Sequence, residues 1–307
     1  MATINRIPIV GVVTVTFGSG GVLDDFLDSL AAQEGVTIRL YGVDNDSKDD
    51  SVARLRAEQR LQHVEVIAND ANLGVAVGNN QGIEAALRDR CDWILLLNND
   101  TMFGPSMIAR LVSDAESRAL DLVSPVIEAT DPADTVWYAG GRIRGVSMVT
   151  RHLGVGRPMS SVRAGVRRTG YASTCCLLVR PQVFQRIGLM DPLYFVYFDD
   201  VDFAARALKA GYQYWLDSDA RLTHKASSLT GGKQSTFTVS WTARNWPLMV
   251  RRHRRGAALA LGLAYVQLWI VGRFILRRDR FSDFALRQSR FRDAMRVKLV
   301  EPPRVAV

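Results

Sequence analysis

Several side chains in this 307-residue chain are of the types that move protons or hold metal ions. Asp44 lies in Val43-Asp-Asn-Asp-Ser47, Asp100 closes Leu95-Leu-Leu-Asn-Asn-Asp100, and three carboxylates crowd Phe198-Asp-Asp-Val-Asp-Phe203. A carboxylate is an oxygen ligand for a hard divalent cation, and carboxylates packed together raise one another's pKa towards the range of a working base. His224 adds an imidazole, which binds metals and titrates near neutrality. Any one acidic residue after an apolar run is equally well explained as a helix cap or turn former, and Asn98-Asn-Asp100 alone reads as a polar turn. Their joint order along the chain is what sets them apart.

Each group stands at the end of an element able to hold it. Residues 8–17 read Pro-Ile-Val-Gly-Val-Val-Thr-Val-Thr-Phe and are followed by Gly-Ser-Gly-Gly, which predicts a buried parallel strand. Leu23, Phe26, Leu27 and Leu30 then recur at helical spacing, and residues 37–43 predict a second strand ending at Asp44. A polar helix near 49–61, a strand at 64–67, a helix at 75–88 and a strand at 93–97 continue the alternation. Such alternation predicts a parallel sheet with helices on its faces and ligands at the carboxyl ends of the strands, where Asp44 and Asp100 fall. From about residue 122 the texture becomes Gly-rich and mixed. A strand at 172–179, a helix at 182–187, a helix at 199–210 closed by Gly211, and short strands at 212–216 and 221–224 are expected there.

Composition narrows the class. A hydrophobic share of 48% and a charged share of 23% exclude a disordered chain. The net charge of +8 is local, because residues 251–298 hold thirteen Lys/Arg against three Asp/Glu and the remainder is slightly acidic. A basic tail interleaved with apolar residues predicts an anionic membrane surface as partner rather than nucleic acid. Cys91, Cys175 and Cys176 are too few and too oddly placed for a disulfide framework, and residues 1–8 lack the apolar region of a secretory signal. A cytoplasmic compartment is expected. The glycines of 72–82 form neither Gly-x-Gly-x-x-Gly nor a Gly-Lys-Ser/Thr phosphate loop.

Taken together the motifs resemble the family 2 glycosyltransferases of GT-A fold, in particular their bacterial rhamnosyltransferase-like branch, over about residues 8–250. The similar stretches are Val-Asp-Asn-Asp-Ser47, Asn72-Leu-Gly-Val-Ala-Val-Gly-Asn-Asn-Gln-Gly-Ile83, Leu-Leu-Leu-Asn-Asn-Asp100, Tyr194-Phe-Val-Tyr-Phe-Asp-Asp-Val-Asp202, Lys209-Ala-Gly-Tyr212 and His224-Lys-Ala-Ser-Ser228. The resemblance implies an α/β fold with a Rossmann-like, mostly parallel central sheet, a mixed β acceptor-side half and a C-terminal helical tail. Residues 1–250 would form the transferase domain, with 1–120 binding the nucleotide sugar and 121–250 forming the acceptor and catalytic half, and residues 251–307 the tail.

The same resemblance implies metal-dependent, inverting transfer of a sugar from a nucleoside diphosphate, with Mn²⁺ or Mg²⁺ as the cation. Asp100 matches the metal-binding carboxylate of the family's DXD element. Asn98 stands where the first aspartate is usual, which keeps hydrogen bonding but removes a charge, and Asn99 lies between them on the nucleotide-sugar side. His224 resembles the histidine that completes the metal shell, with Ser227 and Ser228 in the family's pattern. Asp200 matches the catalytic base and Asp199 the acceptor contact, while Asp202 supports the helix start. Asp44 matches the residue that reads a pyrimidine imide, beside Thr16 and Phe17, and Asn72, Gly74 and Asn80 would line the diphosphate-sugar region. Gly74, Gly78 and Gly82 fit helix packing equally well. The preferred donor is dTDP-rhamnose, then a UDP-sugar, and the acceptor a hydroxyl of a lipid-linked or polysaccharide glycan of the cell surface. A nucleotidyltransferase would share the sheet but needs a Gly-rich basic phosphate loop near the first strand, which is missing. A non-catalytic membrane-associated scaffold is disfavoured by the intact Asp100, Asp200 and His224.

Residues 256–272 are uncharged and apolar, with Arg251, Arg252, Arg254 and Arg255 before them and Arg273, Arg277 and Arg278 after. They fall short of the ~20 residues of a span, and arginines on both sides give no orientation, so an interfacial or re-entrant helix on the inner face of a bacterial cell membrane is expected. A core-packed or dimer-forming helix, and with it a homodimer, is the competing reading. The several transmembrane helices and Gln-x-x-Arg-Trp motif of the processive synthases are missing, and Arg244-Asn-Trp246 is only a faint echo of that motif.

Overall fold

The computed structural model describes residues 6–225 and 235–305, so Ser227 and Ser228 lie outside the described residues. The β-branched runs form strands and the amphipathic stretches between them form helices, in the order β1 (Ile9–Thr16), α1 (Leu23–Ala31), β2 (Thr37–Asn45), α2 (Ser51–Ala57), β3 (His63–Asn69), α3 (Val75–Arg88) and β4 (Trp93–Leu97). β1 pairs in parallel with β2 and β4, and β2 in parallel with β3, giving the spatial order β3-β2-β1-β4. That order is one half of a nucleotide-binding doubly wound sheet. The helix α3 lies directly on β1 because it presents glycines there: a Cβ at Gly78 would come within 2.9 Å of Val15 and one at Gly82 within 2.4 Å of Val13. Those two glycines therefore serve packing.

The second half adds β5 (Thr101–Phe103), α4 (Met107–Ser117), β6 (Leu122–Ala129), β7 (Thr135–Tyr138), β8 (Gly141–Ile143), β9 (Thr150–His152), β10 (Val166–Thr169), β11 (Cys176–Val179), α5 (Pro181–Ile187), α6 (Asp199–Lys209) and β12 (Tyr214–His224). β11 enters antiparallel between β4 and β6, β12 runs parallel to β6, and β10 closes the edge antiparallel to β12. The mixed character expected of this half is present. β8 and β9 form a separate hairpin over the site end.

Several boundaries differ from the sequence reading, the larger ones mostly for a local reason. The helix expected to reach residue 61 ends at Ala57, because Glu58 turns extended and its carboxylate accepts the Arg60 backbone N–H at 2.7 Å. The strand expected over 172–179 starts only at Cys176, since the Ser173 hydroxyl accepts the Cys175 N–H in a turn. The two short strands near the end are one strand, β12, broken by a bulge in which Asp217 accepts the Asp219 N–H at 2.9 Å. Finally, α7 (Thr236–His253) runs through residue 250, the boundary expected between domain and tail.

Two further helices, α8 (Gly256–Ile275) and α9 (Phe281–Arg296), complete the chain. The apolar run of 256–272 grows by three residues into a 20-residue helix, long and apolar enough to cross a membrane by length and composition. It lies along α7 and α9 instead of leaving the globule, burying Gly262, Val266 and Ile270 at four-residue spacing. Leu261, Tyr265, Leu268, Phe274 and Ile275 remain exposed.

Candidate active site

The parallel strands deliver polar groups to one edge. At the end of β1, the Thr16 hydroxyl donates to Asp44 Oδ1 at 2.6 Å, and the Ser47 N–H donates to Asp44 Oδ2 at 2.9 Å. The Asp44 carboxylate is thus buried and oriented by fixed donors, while Phe17, the next residue after β1, is 53% exposed. Asn99 crosses from β4 to donate to the Val15 carbonyl at 2.7 Å, which ties the two strand ends together. Asn98 is exposed, and its backbone N–H is held by the Cys175 carbonyl at 2.9 Å.

Asp100 and His224 meet although 124 positions separate them, because β5 pairs antiparallel with β12 and places Thr101 opposite His224. His224 Nε2 and Asp100 Oδ1 are 3.1 Å apart and both side chains are buried. Neighbouring ligands of an octahedral ion at about 2.1 Å lie about 3 Å from one another, so this spacing suits two donors on one cation. One carboxylate oxygen with one imidazole nitrogen is a donor set that Mn²⁺ accepts at least as readily as Mg²⁺. Burial disfavours the imidazolium, but the adjoining Cys175 and Asp100 outweigh it and bring the imidazole pKa to about 10, so a cation held here would have to displace the ring proton. The residues present fit a divalent cation. Another His/carboxylate group among the described residues, His63 with Glu65 and Asp89, sits at the opposite end of β3, where Arg88 already pairs with both carboxylates.

The carboxylates of α6 are held on the other side. Tyr197 and Phe198 both adopt left-handed backbone, with φ of 64° and 69°, and this turns the chain sharply into the helix so that Asp199, Asp200 and Asp202 fall in its first turn. Asp200 Oδ1 accepts the Val201 N–H at 2.8 Å, and Oδ2 accepts the Tyr171 hydroxyl. Burial pushes the Asp200 carboxyl above the ordinary range, with Tyr171 and the Val201 N–H pulling back. Asp199 is only 4% exposed, and burial together with the charge of Asp200 pushes it up further. The two carboxyls are coupled, and because burial and the neighbouring charge push Asp199 up further than Asp200, Asp200 is the first of the pair to ionise. Asp202 is fully buried between Arg206, at 2.7 Å, and His253 of α7, at 2.8 Å.

One short segment joins the two sides. Residues 171–175 touch Asp200 through Tyr171 and Ser173, and His224 through Cys175. The segment turns at Ser173–Cys175, so Asp200 and His224 are linked through residues only two positions apart in the chain. A second path runs through rings: Tyr171 stacks on His152 at 6.0 Å, His152 meets Trp137 at 4.8 Å, and Trp137 meets His224 edge-on at 4.7 Å.

Three predicted residues take places of a different kind. Gly74 is the N-cap of α3 at φ 86°, and a Cβ there would come within 2.4 Å of the Phe195 carbonyl, so it lets the helix start abut the loop leading to Asp200. Asn72 accepts the Gly74 N–H at 3.0 Å and shapes that turn. The Asn80 amide, expected in the diphosphate-sugar region, is buried and engaged at both ends by the Met190 backbone, at 2.8 and 2.9 Å. Sequence reasoning missed the group that fixes the 193–198 loop. Arg244 donates to the Leu193 carbonyl at 2.8 Å, Asn245 to those of Val196 and Tyr197 at 2.8 and 3.0 Å, and Trp246 to that of Ser147 at 2.7 Å. The faint Arg-Asn-Trp echo was the one signal for it. Tyr171 and His152 had none.

A doubly wound parallel half joined to a mixed half, with a carboxylate–imidazole pair near their junction, is the architecture of a GT-A glycosyltransferase. The sequence profile of "Glycosyl transferase family 2" matches residues 11–188, and the chain belongs to that family. It is 29% identical over 313 residues, covering 94% of this chain and 97% of the relative, to the N-acetylglucosaminyl-diphospho-decaprenol L-rhamnosyltransferase of Mycobacterium tuberculosis. The galactofuranosyltransferase GlfT1 of the same organism is 26% identical over 70% of each chain. Among solved structures, S. aureus TarS 1-349 in complex with UDP-GlcNAc superposes with a TM-score of 0.60 at 12% identity, over 94% of this chain and 79% of that one. The Pyrobaculum calidifontis mannosyltransferase PcManGT, in complex with GDP-Man and Mn²⁺, gives 0.59 at 12% identity, over 95% and 88%.

Proposed function

We propose that this glycosyltransferase moves a sugar, with inversion, from a nucleoside diphosphate to a hydroxyl of a lipid-linked glycan acceptor at the cytoplasmic face of the membrane. The observation that carries the reading is the linkage of two buried groups, Asp100 with His224 and Asp200, through the one short segment 171–175. The preferred donor is dTDP-rhamnose, with a UDP-sugar next. The relative aligned over 94% of the chain, an L-rhamnosyltransferase named for N-acetylglucosaminyl-diphospho-decaprenol, supports a rhamnosyl donor and a polyprenyl-diphosphate-linked acceptor.

In this reading Asp44 accepts the imide N–H of a uracil or thymine, Phe17 and Thr16 flank the base, and Asn98 and Asn99 line the ribose side. Asn72 and Gly74 shape the α3 start beside the diphosphate, and Asn80 acts at one remove by fixing the chain at Met190. Asp100 and His224 would hold the divalent cation, which when bound neutralises charge developing on the departing diphosphate. Asp200 takes the proton of the acceptor hydroxyl, whose oxygen forms a bond to the anomeric carbon as the carbon–oxygen bond to the diphosphate breaks. A single displacement inverts the configuration. Asp199, kept neutral, presents a donor to an acceptor oxygen. The raised pKa of Asp200 makes it a stronger base than a free carboxylate.

The exposed face of α8 is the membrane contact. Leu268 and Ile275 are each 71% exposed, and Arg255, Arg277, Arg278 and Arg280 flank the helix ends, which suits an in-plane helix on an anionic surface. The test is turnover of dTDP-rhamnose and UDP-sugars with Mn²⁺ and a polyprenyl-diphosphate-linked GlcNAc acceptor. Asp200→Asn should keep donor binding and lose at least about a hundred-fold in turnover. Unchanged turnover in that variant would remove Asp200 as the base.

A further inference from the structure

We propose that Tyr171 is a positioning residue for the reaction: its hydroxyl locks the rotation of the Asp200 carboxylate and tunes the base, and the β7–β9 region exists to hold it there. The inference rests on the assignment of Asp200 as base and adds to it a residue outside the family-like motifs.

The geometry is one of successive supports. A carboxylate on a helix's first turn rotates freely about its last side-chain bond unless both oxygens are engaged. In Asp200 they are, one by the Val201 N–H at 2.8 Å and the other by the Tyr171 hydroxyl. The Ser173 hydroxyl also acts on this carboxylate, so its orientation is fixed from the 171–173 segment as well as from its own helix. Tyr171 is itself 2% exposed and anchored on three sides. Its carbonyl accepts the Tyr138 hydroxyl of β7 at 2.7 Å, its backbone bridges Gly141 of β8, and its ring stacks on His152 of β9 at 6.0 Å. Gly141 must lack a side chain for this arrangement, since a Cβ there would come within 2.6 Å of the Tyr171 ring.

A hydroxyl donating to a carboxylate stabilises its ionised form, so removal of the phenol raises the pH at which the base loses its proton. The other titratable groups facing Asp200 are Asp199 and Asp202 on α6, with Tyr171 before β11 and Tyr214 on β12. Asp199 is pushed up and stays neutral, Asp202 is paired with Arg206 and His253, and burial keeps the Tyr214 phenol protonated. Of these, only Tyr171 places a donor on Asp200.

The experiment is the pH dependence of turnover for full-length Tyr171→Phe and for protein carrying 3,5-difluorotyrosine at 171. Tyr171→Phe should lower kcat roughly ten-fold or more and move the acid limb of the profile to higher pH, with the donor KM unchanged. Difluorotyrosine is a stronger donor of nearly the same size and should move the limb to lower pH. A uniform loss with an unmoved limb in both proteins, or full activity in Tyr171→Phe, overturns the proposal. If Tyr171→Phe does not fold, the difluorotyrosine limb decides alone. Asp200→Asn run in parallel separates the two ideas: if it stays active the base assignment has failed, and if it is inactive while the limbs do not move, Tyr171 alone is wrong.

Discussion

Replacing Asn245 by alanine should injure catalysis far more than stability. The Asn245 side chain is 0% exposed and donates to two carbonyls, those of Val196 and Tyr197, at 2.8 and 3.0 Å. Two residues with side chains, Tyr197 and Phe198, stand beside it in left-handed backbone. Each such residue stores about 1–3 kcal/mol, which the clamp must hold. Its removal costs about 1–3 kcal/mol for each buried carbonyl left without that donor, but the loop recovers part of this by relaxing out of the strained conformation. The net loss should be about 2 kcal/mol, or about 3 °C in Tm for a chain of this length. Relaxation moves the start of α6, and a displacement of about 1 Å in a reacting group costs on the order of a hundred-fold in rate. Thermal melts and kcat on the same preparations measure the two effects separately. Asn245→Asp should fare no better, because a carboxylate of the same shape repels both carbonyls. Full turnover in Asn245→Ala, or a rate loss no larger than the unfolded fraction explains, would refute the clamp.

Two further outcomes follow from other parts of the molecule. Asp44→Ala removes the carboxylate oriented by Thr16 and Ser47 and should raise the donor KM about ten-fold or more, with a smaller change in kcat; steady-state kinetics against pyrimidine and purine nucleotide sugars would show the lost preference. Leu268→Glu with Ile275→Glu removes two exposed apolar side chains from α8, each contributing about 1.5–3 kcal/mol to membrane burial. Co-sedimentation with vesicles containing anionic lipid should fall about a hundred-fold or more, while turnover of a detergent-dispersed acceptor stays intact; unchanged sedimentation would favour the dimer-forming alternative.

Much of the fold was legible because its signals are local. The runs before Thr16, Asp44 and Asp100 are continuous β-branched or leucine stretches, and α3 and β4 fall at 75–88 and 93–97 as the periodicity predicts. The boundary errors came from side chains competing with the backbone, as Glu58 does at the end of α2 and Asp217 within β12. The meeting of Asp100 with His224 depends on β5, a three-residue strand too short to show a period. Tyr171 left no signal, and Asn245 only the faint Arg-Asn-Trp echo, for a different cause. Each acts on a residue more than 25 positions away, through one hydrogen bond or a pair of them, and no pattern along the chain encodes such a contact. Asn80 shows the converse: its motif placed it beside the ligand, whereas both ends of its amide face the Met190 backbone.

The most direct test is where manganese binds. Crystals soaked with Mn²⁺ and dTDP or UDP should show one anomalous peak within about 2.0–2.3 Å of Asp100 Oδ1 and His224 Nε2, with diphosphate oxygens completing the shell and Asp200 facing it across the space left for the sugar. A peak at His63, Glu65 and Asp89 with none beside Asp100, or nucleotide bound away from the ends of β1 and β4, would contradict the site.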